Sequence, residues 1–422
     1  MSQKLAHQRI LQNMDQVCSW FQGIATELPV PIYSSYDIRD AGYKIANVDA
    51  NIYPAGFNNI CPADKETSVG LMEKYLKTHY GSQIKNILLV TEEHTQNPFY
   101  WENVGAIHDL MTGAGFNLRI GFPRVLPEPL KVTSATGREF HVGSAVPNSE
   151  LLQGFGPDLV VSNNDFSNAY EEWAQGLPWA INPPRELGWY QRKKSRYFRH
   201  YNDLATKFCE VAGLDPFLFR VETEEFNHFE IENPESRKEL AERVNRMLLH
   251  LREEYSKRGI TQEPFVFVKN NAGTYGLAVI RVTSGEEILS WGYKSRKKMK
   301  AAKGGRDVEE VIIQEGIPSV VKSENATAEP VIYMIGTELA GGFLRTHAEK
   351  DDTESLNSPG AVYKRLCVSD LAVDPQGCPK ENVYGWSAKL GLMAIAREAK
   401  EMNVAFQGYR PGSISSDKAC GS

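Results

Sequence analysis

The chain has 422 residues, 41% of them hydrophobic and 24% charged, which suits a soluble globular protein and excludes a fibrous or disordered one. Its length favours two or three domains over a single core. A net charge of −6 argues against a general polyanion binder, so no nucleic-acid partner is expected and any phosphate site must be local.

The longest apolar runs, such as 87–90 and 392–396, are far too short to span a membrane. The opening "MSQKLAHQRILQNMDQ" lacks the apolar core of a leader, so a cytoplasmic location without a membrane partner is expected. Cys18, Cys61, Cys209, Cys367, Cys378 and Cys420 are scattered, with no CxxC pair. Free thiols are therefore expected, rather than a disulfide framework or a zinc site.

In chain order, Leu5, Ile10, Leu11, Met14, Val17 and Phe21 recur at helical spacing, which predicts one amphipathic helix over 5–28. The stretch 29–62 is rich in Pro, Gly and Asn and reads as a long ordered loop with short strands. "IKNILLVTEE" (84–93) is a buried strand, 101–114 a helix and "FNLRIGF" the next strand; 157–165 and 178–184 supply further strands. Short apolar strands alternating with helices predict a parallel sheet covered on both faces. Glu92, His94, Asn163, Asn164, Asp165 and Asn182 would then sit at the carboxyl ends of strands, where such sheets bind ligands.

From about residue 185 the text changes. Helices are predicted over 191–212 and 236–259, strands over 265–269, 277–282, 311–315 and 330–335, and a last helix over 385–403. The basic run 293–306 reads as a solvated helix. In "EPFVFVKNNAGTYGLAVIRV" (263–282), Lys269 ends a strand and Gly273 and Gly276 flank Thr274 and Tyr275. Such a loop lets backbone N–H groups approach phosphate oxygens, with the lysine adding a charge; as a strand follows instead of a helix, it is no Walker loop. In "EEVIIQEGIPSV", Gln314, Glu315 and Gly316 leave a strand with backbone groups available to an adenine edge, and Ile317 could pack on its face. Arg345 ends a later strand and suits charge that develops on a phosphate. A loop with Asp351, Asp352, Glu354 and Asn357 follows, offering oxygen ligands of the kind magnesium prefers.

The order of these pieces resembles the ATP-grasp fold, with bacterial glutathione synthetase similar in layout over roughly 84–410. Within that superfamily "YDIRDAGYKIANVDANIYPAGFNNI", "FVKNNAGTYGLAVI" and "LNSPGAVYKRL" resemble the proteobacterial glutamate–cysteine ligase family. The resemblance implies an α/β protein: an N-terminal Rossmann-like pre-ATP-grasp domain with a parallel sheet over 1–185, then an ATP-grasp domain of two α+β subdomains over 186–290 and 291–422. It implies ATP- and Mg2+-dependent joining of the glutamate γ-carboxylate to the cysteine amine through an acyl phosphate. Lys269 with Lys194 or Arg196 would hold phosphates, Gly273–Gly276 would form the flap, and Gln314–Ile317 would meet adenine. Lys269 and Arg345 are the catalytic candidates. Arg39 and Lys44 would pair an amino acid's carboxylate, with Asp49, Asn51 and Asn58 beside them. Magnesium ligands in glutathione synthetase follow the last helix as an acid and then Glu-x-Asn. No such pair follows Asn403, so either Glu354 and Asn357 with nearby acids hold the metal or its ligands come from elsewhere. Glutathione synthetase or another carboxylate–amine ligase, a small-molecule kinase on the same fold, and a non-catalytic nucleotide-binding regulator are the alternatives; self-association is left open.

Overall fold

The computed structural model describes residues 3–273, 278–300, 308–371 and 383–412. It is a mixed α/β protein with three sheets. The opening helix is two helices, Gln3–Gln12 and Met14–Ala25, interrupted where the Asn13 side chain donates to Arg9 O and Ala212 O. An asparagine that satisfies carbonyls with its own side chain competes with the helix, which explains the break.

The first sheet is the expected one. Strands Glu139–Ser144, Asn117–Phe122, Asn86–Thr91, Leu159–Asn163 and Ile181–Asn182 are parallel in that order, and Leu130–Thr133 adds an antiparallel edge. Helix Pro98–Gly113 starts with proline in its first turn, where no backbone donor is lost, and Asn97 caps it by accepting from Tyr100 N.

In the second sheet the strand over 330–335 and the one through Arg345 were expected, but their partners were not. The stretch read as a loop forms a regular hairpin, Tyr33–Asp40 and Ile45–Asn51, which joins strands Ala326–Ile335, Glu338–His347 and Val362–Leu366 from the other end of the chain. Tyr33–Asp40 lies antiparallel to Ala326–Ile335, with Tyr33 opposite Ile335 and Asp37 opposite Val331. Nearly every residue of Tyr33–Asp40 is buried, polar ones included, so the alternation that marks a half-buried strand is missing.

The third sheet is antiparallel: Val279–Val282, Val266–Asn270, Val311–Glu315 and Thr223–Phe226. Helix Pro234–Lys257 covers it, burying Leu240, Val244, Leu248 and Leu251 in a small core with Val266, Val268 and Ile313. A larger core joins the other two sheets and the last helix, Val383–Glu401. Of the basic run, Tyr293–Met299 is helical, and Arg296 pairs with exposed Glu232. Among the described residues no helix is long and apolar enough to cross a membrane.

The expectation of free thiols is corrected. Cys61 and Cys367 form a disulfide with Cα atoms 5.7 Å apart, within the usual range, and Cys18 is also disulfide-bonded. Cys209 is free and buried. The pair lies 306 residues apart, so no local spacing announces it; the sheet pairing brings it together.

Candidate active site

A cleft runs between the second and third sheets and continues toward the ends of the first. It has two cavities that share Asp37, Asp49, Gly273 and Asn357.

One cavity lies over Lys269. That residue sits mid-ladder between Val279 and Ile312, and its Nζ donates to Gln314 Oε1 at 2.5 Å and to Val48 O at 3.3 Å. Burial lowers its ammonium to about 8, with Asp49 opposing the shift and Lys194 adding to it. The glycine loop leaves this strand through an Asx turn in which Ala272 N donates to Asn270 Oδ1. Asn271 fastens the loop base to helix Lys194–Ala212, accepting from Lys194 N at its carbonyl and from Ser195 N at its side chain. The flap residues Thr274, Tyr275 and Gly276 fall outside the described residues; Gly273 lines both cavities.

Gln314, Glu315 and Ile317 line this cavity, as the sequence suggested. Glu315 has a further role: both carboxylate oxygens lie 2.7 Å from Lys44 Nζ, and Tyr255 OH and Glu222 N also donate to them. Lys44 is thus sealed in an ion pair, 1% exposed, and does not reach the cleft. Gly316 has a packing reason, since a Cβ there would lie 2.1 Å from Phe265.

The floor where the cavities meet is the hairpin. Asp37 and Asp49 are direct cross-strand partners, so their carboxylates share a face, and Asn51 follows two residues later. Burial raises Asp37, with Glu329 and Asp49 adding to the rise against Arg345. Burial also acts upward on Asp49, but Lys194 and Lys269 outweigh it and the carboxyl falls below its usual range. Lys194 Nζ pairs directly with Asp49. Arg345 Nη1 lies 2.7 Å from Asp37 Oδ2 and 2.6 Å from Glu329 Oε1, and Arg39 Nε lies 2.6 Å from Glu329 Oε2. Burial raises Glu329 less than Arg39 and Arg345 together lower it. Three carboxylates thus interleave with four cations. Like charges placed directly opposite on a sheet are unfavourable unless a cation compensates.

The second cavity is lined by Asn51, Tyr53, Asn59, Glu92, Asp165, Trp189, Tyr333, Arg345 and Tyr363, among others. Glu92 and Asp165 come from the carboxyl ends of parallel strands, as that topology dictates. His94 Nε2 lies 2.7 Å from Glu92 Oε2. Asn163, Asn164 and Asn182 are structural: they bond Pro54 O, Thr91 O and the Tyr75 and Tyr80 hydroxyls.

Several sequence candidates lie elsewhere. Arg196 points to Glu401, 3.4 Å away, in a separate surface depression. Asn58 lines a neighbouring groove with Lys65. Arg39 lines only the Lys269 cavity, where Nη1 and Nη2 donate to Asp352 O and Glu354 O. Glu354 turns to Lys350 at 2.8 Å and does not line either cavity with Asn357. The sequence reading missed Glu329, Ser355, Trp189 and Tyr333. A carboxylate ahead of Pro330 in the otherwise apolar "AEPVIYMI" was the signal for Glu329.

Cations beside Gly273 at one end and acids and carboxamides at the other, joined through shared residues, form a polar cleft of the kind a small-molecule enzyme uses. The chain belongs to the glutamate–cysteine ligase family, whose pattern matches residues 7–399. It is similar to a crystal structure from Methylobacillus flagellatus KT, provisionally named a gamma-glutamylcysteine synthetase, at 31% identity and a TM-score of 0.85, covering 94% of this chain and 96% of that one. A glutathione synthetase-like effector from Globodera pallida is similar at 14% identity and a TM-score of 0.34, covering 87% of this chain and 81% of that one, a level that carries no argument. Comparison with curated proteins gave no match.

Proposed function

We propose that this ligase joins the glutamate γ-carboxylate to the cysteine amine in a cytoplasmic, ATP-dependent reaction. The observation that carries the reading is the pair of cavities meeting at Asp37, Asp49, Gly273 and Asn357. The Lys269 cavity suits the nucleotide: Ile317 and Phe267 offer apolar surface to a base, while Lys269, Lys194 and the loop from Gly273 face its phosphates. The Arg345 cavity suits the amino acids, with Asn51 and Asn59 as neutral partners and Glu92 and Asp165 as acceptors for ammonium. The reading retains an ATP-grasp arrangement, with 1–185 as the substrate portion and 186–290 and 291–422 as the two grasping portions.

The chemistry explains these parts. A carboxylate does not acylate an amine in water, so it first takes the terminal phosphoryl group of ATP. The acyl phosphate must then stay dry until the amine attacks. Arg345, braced by Asp37 and Glu329, holds its charge fixed toward the transferring group. Lys269 and Lys194 offset the polyphosphate, and the glycine loop excludes water.

Magnesium fits the residues present. Asp37 and Asp49 oppose one another as hard oxygen donors, and Asp49 and Asn51 reproduce, near the start of the chain, the acid-x-Asn spacing sought after the last helix. We assign the metal to Asp37, Asp49 and Asn51, with Asn357 nearby, in place of Glu354. When bound, the ion neutralises charge between the phosphates. Phosphate release from ATP tests the whole reading. It should require glutamate and cysteine together; release with glutamate and glycine, or with a sugar alone, would overturn it.

A further inference from the structure

The proposed reaction brings two amino acids into the Arg345 cavity, and each carries an α-carboxylate besides the groups that react. Among the described residues Arg345 is the only lysine or arginine lining that cavity, and its guanidinium is already paired with Asp37 and Glu329. Asp37, Asp49, Glu92 and Asp165 line it too and repel a further anion. Arg39 and Lys44, which the sequence offered to a carboxylate, are paired with Glu329 and Glu315. A carboxylate that leaves water needs a cation or strong donors. The cavity alone does not supply enough of them.

The cavity continues into a groove through Ala55, Asn59 and Tyr363, which line both. The groove shares no lining residue with the Lys269 cavity, so it lies at the opposite end of the cleft. Lys65, near the start of helix Pro62–Tyr80, lines this groove. Its Nζ donates to Asn58 O at 2.7 Å, and the Asn58 side chain donates to Asn59 Oδ1 at 3.1 Å, which ties the ammonium to the cavity wall. Other charges of the groove are engaged: Arg138 grips both oxygens of Asp109, and Glu102 accepts from Thr136. Lys65 meets a neutral carbonyl instead. Burial lowers its ammonium below the usual lysine value, with Asp109 and Glu102 opposing the shift. Exposed Phe99, Val362 and Tyr363 give a ligand's hydrocarbon part a surface beside it.

We infer that Lys65 recognises the α-carboxylate of the acceptor amino acid, and that it selects amino acids over simple amines. The inference deepens the proposed reaction and rests on it. The acceptor is the substrate that this end suits. Glutamate places its γ-carboxylate at the junction with the Lys269 cavity, where the phosphoryl group transfers. The acceptor must reach the acyl phosphate while the nucleotide end excludes water, so it arrives from the other end, through the groove. Its carboxylate then takes a charged hydrogen bond from Lys65, and the amine on the adjoining carbon is held toward Asn59 and the cavity. An amine without the carboxylate has no such anchor.

The test compares cysteine with cysteamine, which is cysteine without its carboxylate. Both carry the same thiol, so any effect of the thiol is common to them. Phosphate release from ATP is followed on the full-length protein at saturating glutamate. The wild-type protein should prefer cysteine in kcat/KM by about 10- to 100-fold, the worth of a hydrogen bond to a charged group. Lys65→Met should lose that factor for cysteine and change less than about 2-fold for cysteamine, which brings the ratio near one. Lys65→Arg, which keeps the charge, should retain most of the preference. Each ratio is taken within one preparation, so it does not depend on how much of a variant folds. Equal losses for both amines in Lys65→Met would make the lysine structural and overturn the inference. A wild-type protein indifferent to the carboxylate would overturn it with no variant needed. Ligation of neither amine by the wild-type protein would instead overturn the proposed reaction, and the two failures are distinguishable.

Discussion

The two ends of the cleft are assembled from the chain in opposite ways. Half of the lining at the Lys269 end comes from one continuous stretch, 263–317, which holds a strand, the start of the glycine loop, a strand and the "QEGI" exit; the hairpin, Lys194, Glu329 and the loop at 355–357 supply the rest. The Arg345 end combines the hairpin 33–51, the turn at 57–59, the ends of parallel strands at Glu92 and Asp165, and strands spanning 326–347. A site built from neighbouring residues carries its own spacing, whereas a site built from remote stretches exists only once sheets have paired. The contrast extends to charge. The Lys269 end is lined by Lys194 and Lys269, and the Arg345 end by an Arg345–carboxylate lattice with carboxamides.

Asp49 belongs to both ends, so its substitution is the strongest way to break the contrast. Asp49→Asn keeps the shape but removes the charge opposite Asp37 and beside Lys194. Turnover should fall on the order of 10²–10³-fold, the loss seen when one preorganised electrostatic group is removed. The magnesium requirement should shift to higher concentration, and the KM for both ATP and glutamate should change. Wild-type turnover in this variant would mean that the hairpin floor is scaffold.

Lys269 should sharpen the contrast, because it lines only the cavity proposed for the nucleotide. Lys269→Ala should lower kcat/KM for ATP about 10- to 100-fold, the worth of a charged hydrogen bond, and leave the glutamate KM nearly unchanged. A matched loss for both substrates would erase the distinction between the ends. The same lysine sets a pH dependence. Its ammonium is held near 8 by burial, so kcat/KM for ATP should decline as pH rises through about 8, where the amine loses the charge that faces phosphate. Stability should move the other way. The native group releases its proton near 8 and the unfolded one near 10.5, so the unfolded state binds more protons between them and Lys269's contribution to stability rises with pH across that window. Denaturant midpoints of wild type and Lys269→Met from pH 7 to 10 measure this directly.

The same contrast explains what could be read from the sequence. Four of the parallel strands were legible because they are short apolar runs, and several helices because their spacing or capping survives in the text; the first helix was misjudged at Asn13, and helix Pro62–Tyr80 and strand Glu139–Ser144 were missed. Lys269 and the strand exit at Gln314 were legible for the same local reason. Tyr33–Asp40 was not, because a strand buried on both faces with serines, aspartates and an arginine has no alternation to detect. The strand pairing also turns Lys44 away from the cleft to Glu315, while Glu354 pairs with Lys350. Nothing local shows that Lys44 lies beneath Glu315, or that Cys61 meets Cys367, because both are consequences of which strands pair.

Arg39 gives the mildest and most discriminating test. The sequence reading assigned it to an amino acid's carboxylate, which predicts a larger effect on glutamate than on ATP. In the structure it is 4% exposed, lines only the Lys269 cavity, grips Glu329 at 2.6 Å and holds the carbonyls of Asp352 and Glu354. Its guanidinium therefore positions the loop that carries Ser355 and Asn357 and shares Glu329 with Arg345. Arg39→Lys retains the charge but cannot serve three acceptors in one plane. ATP binding should weaken several-fold, about 1 kcal/mol by the usual worth of a lost hydrogen bond, with a smaller change for glutamate that arises only through Asn357. Paired KM measurements on this variant decide the assignment. A glutamate KM that rises more than the ATP KM would return Arg39 to the substrate end and move the boundary between the two cavities past Glu329.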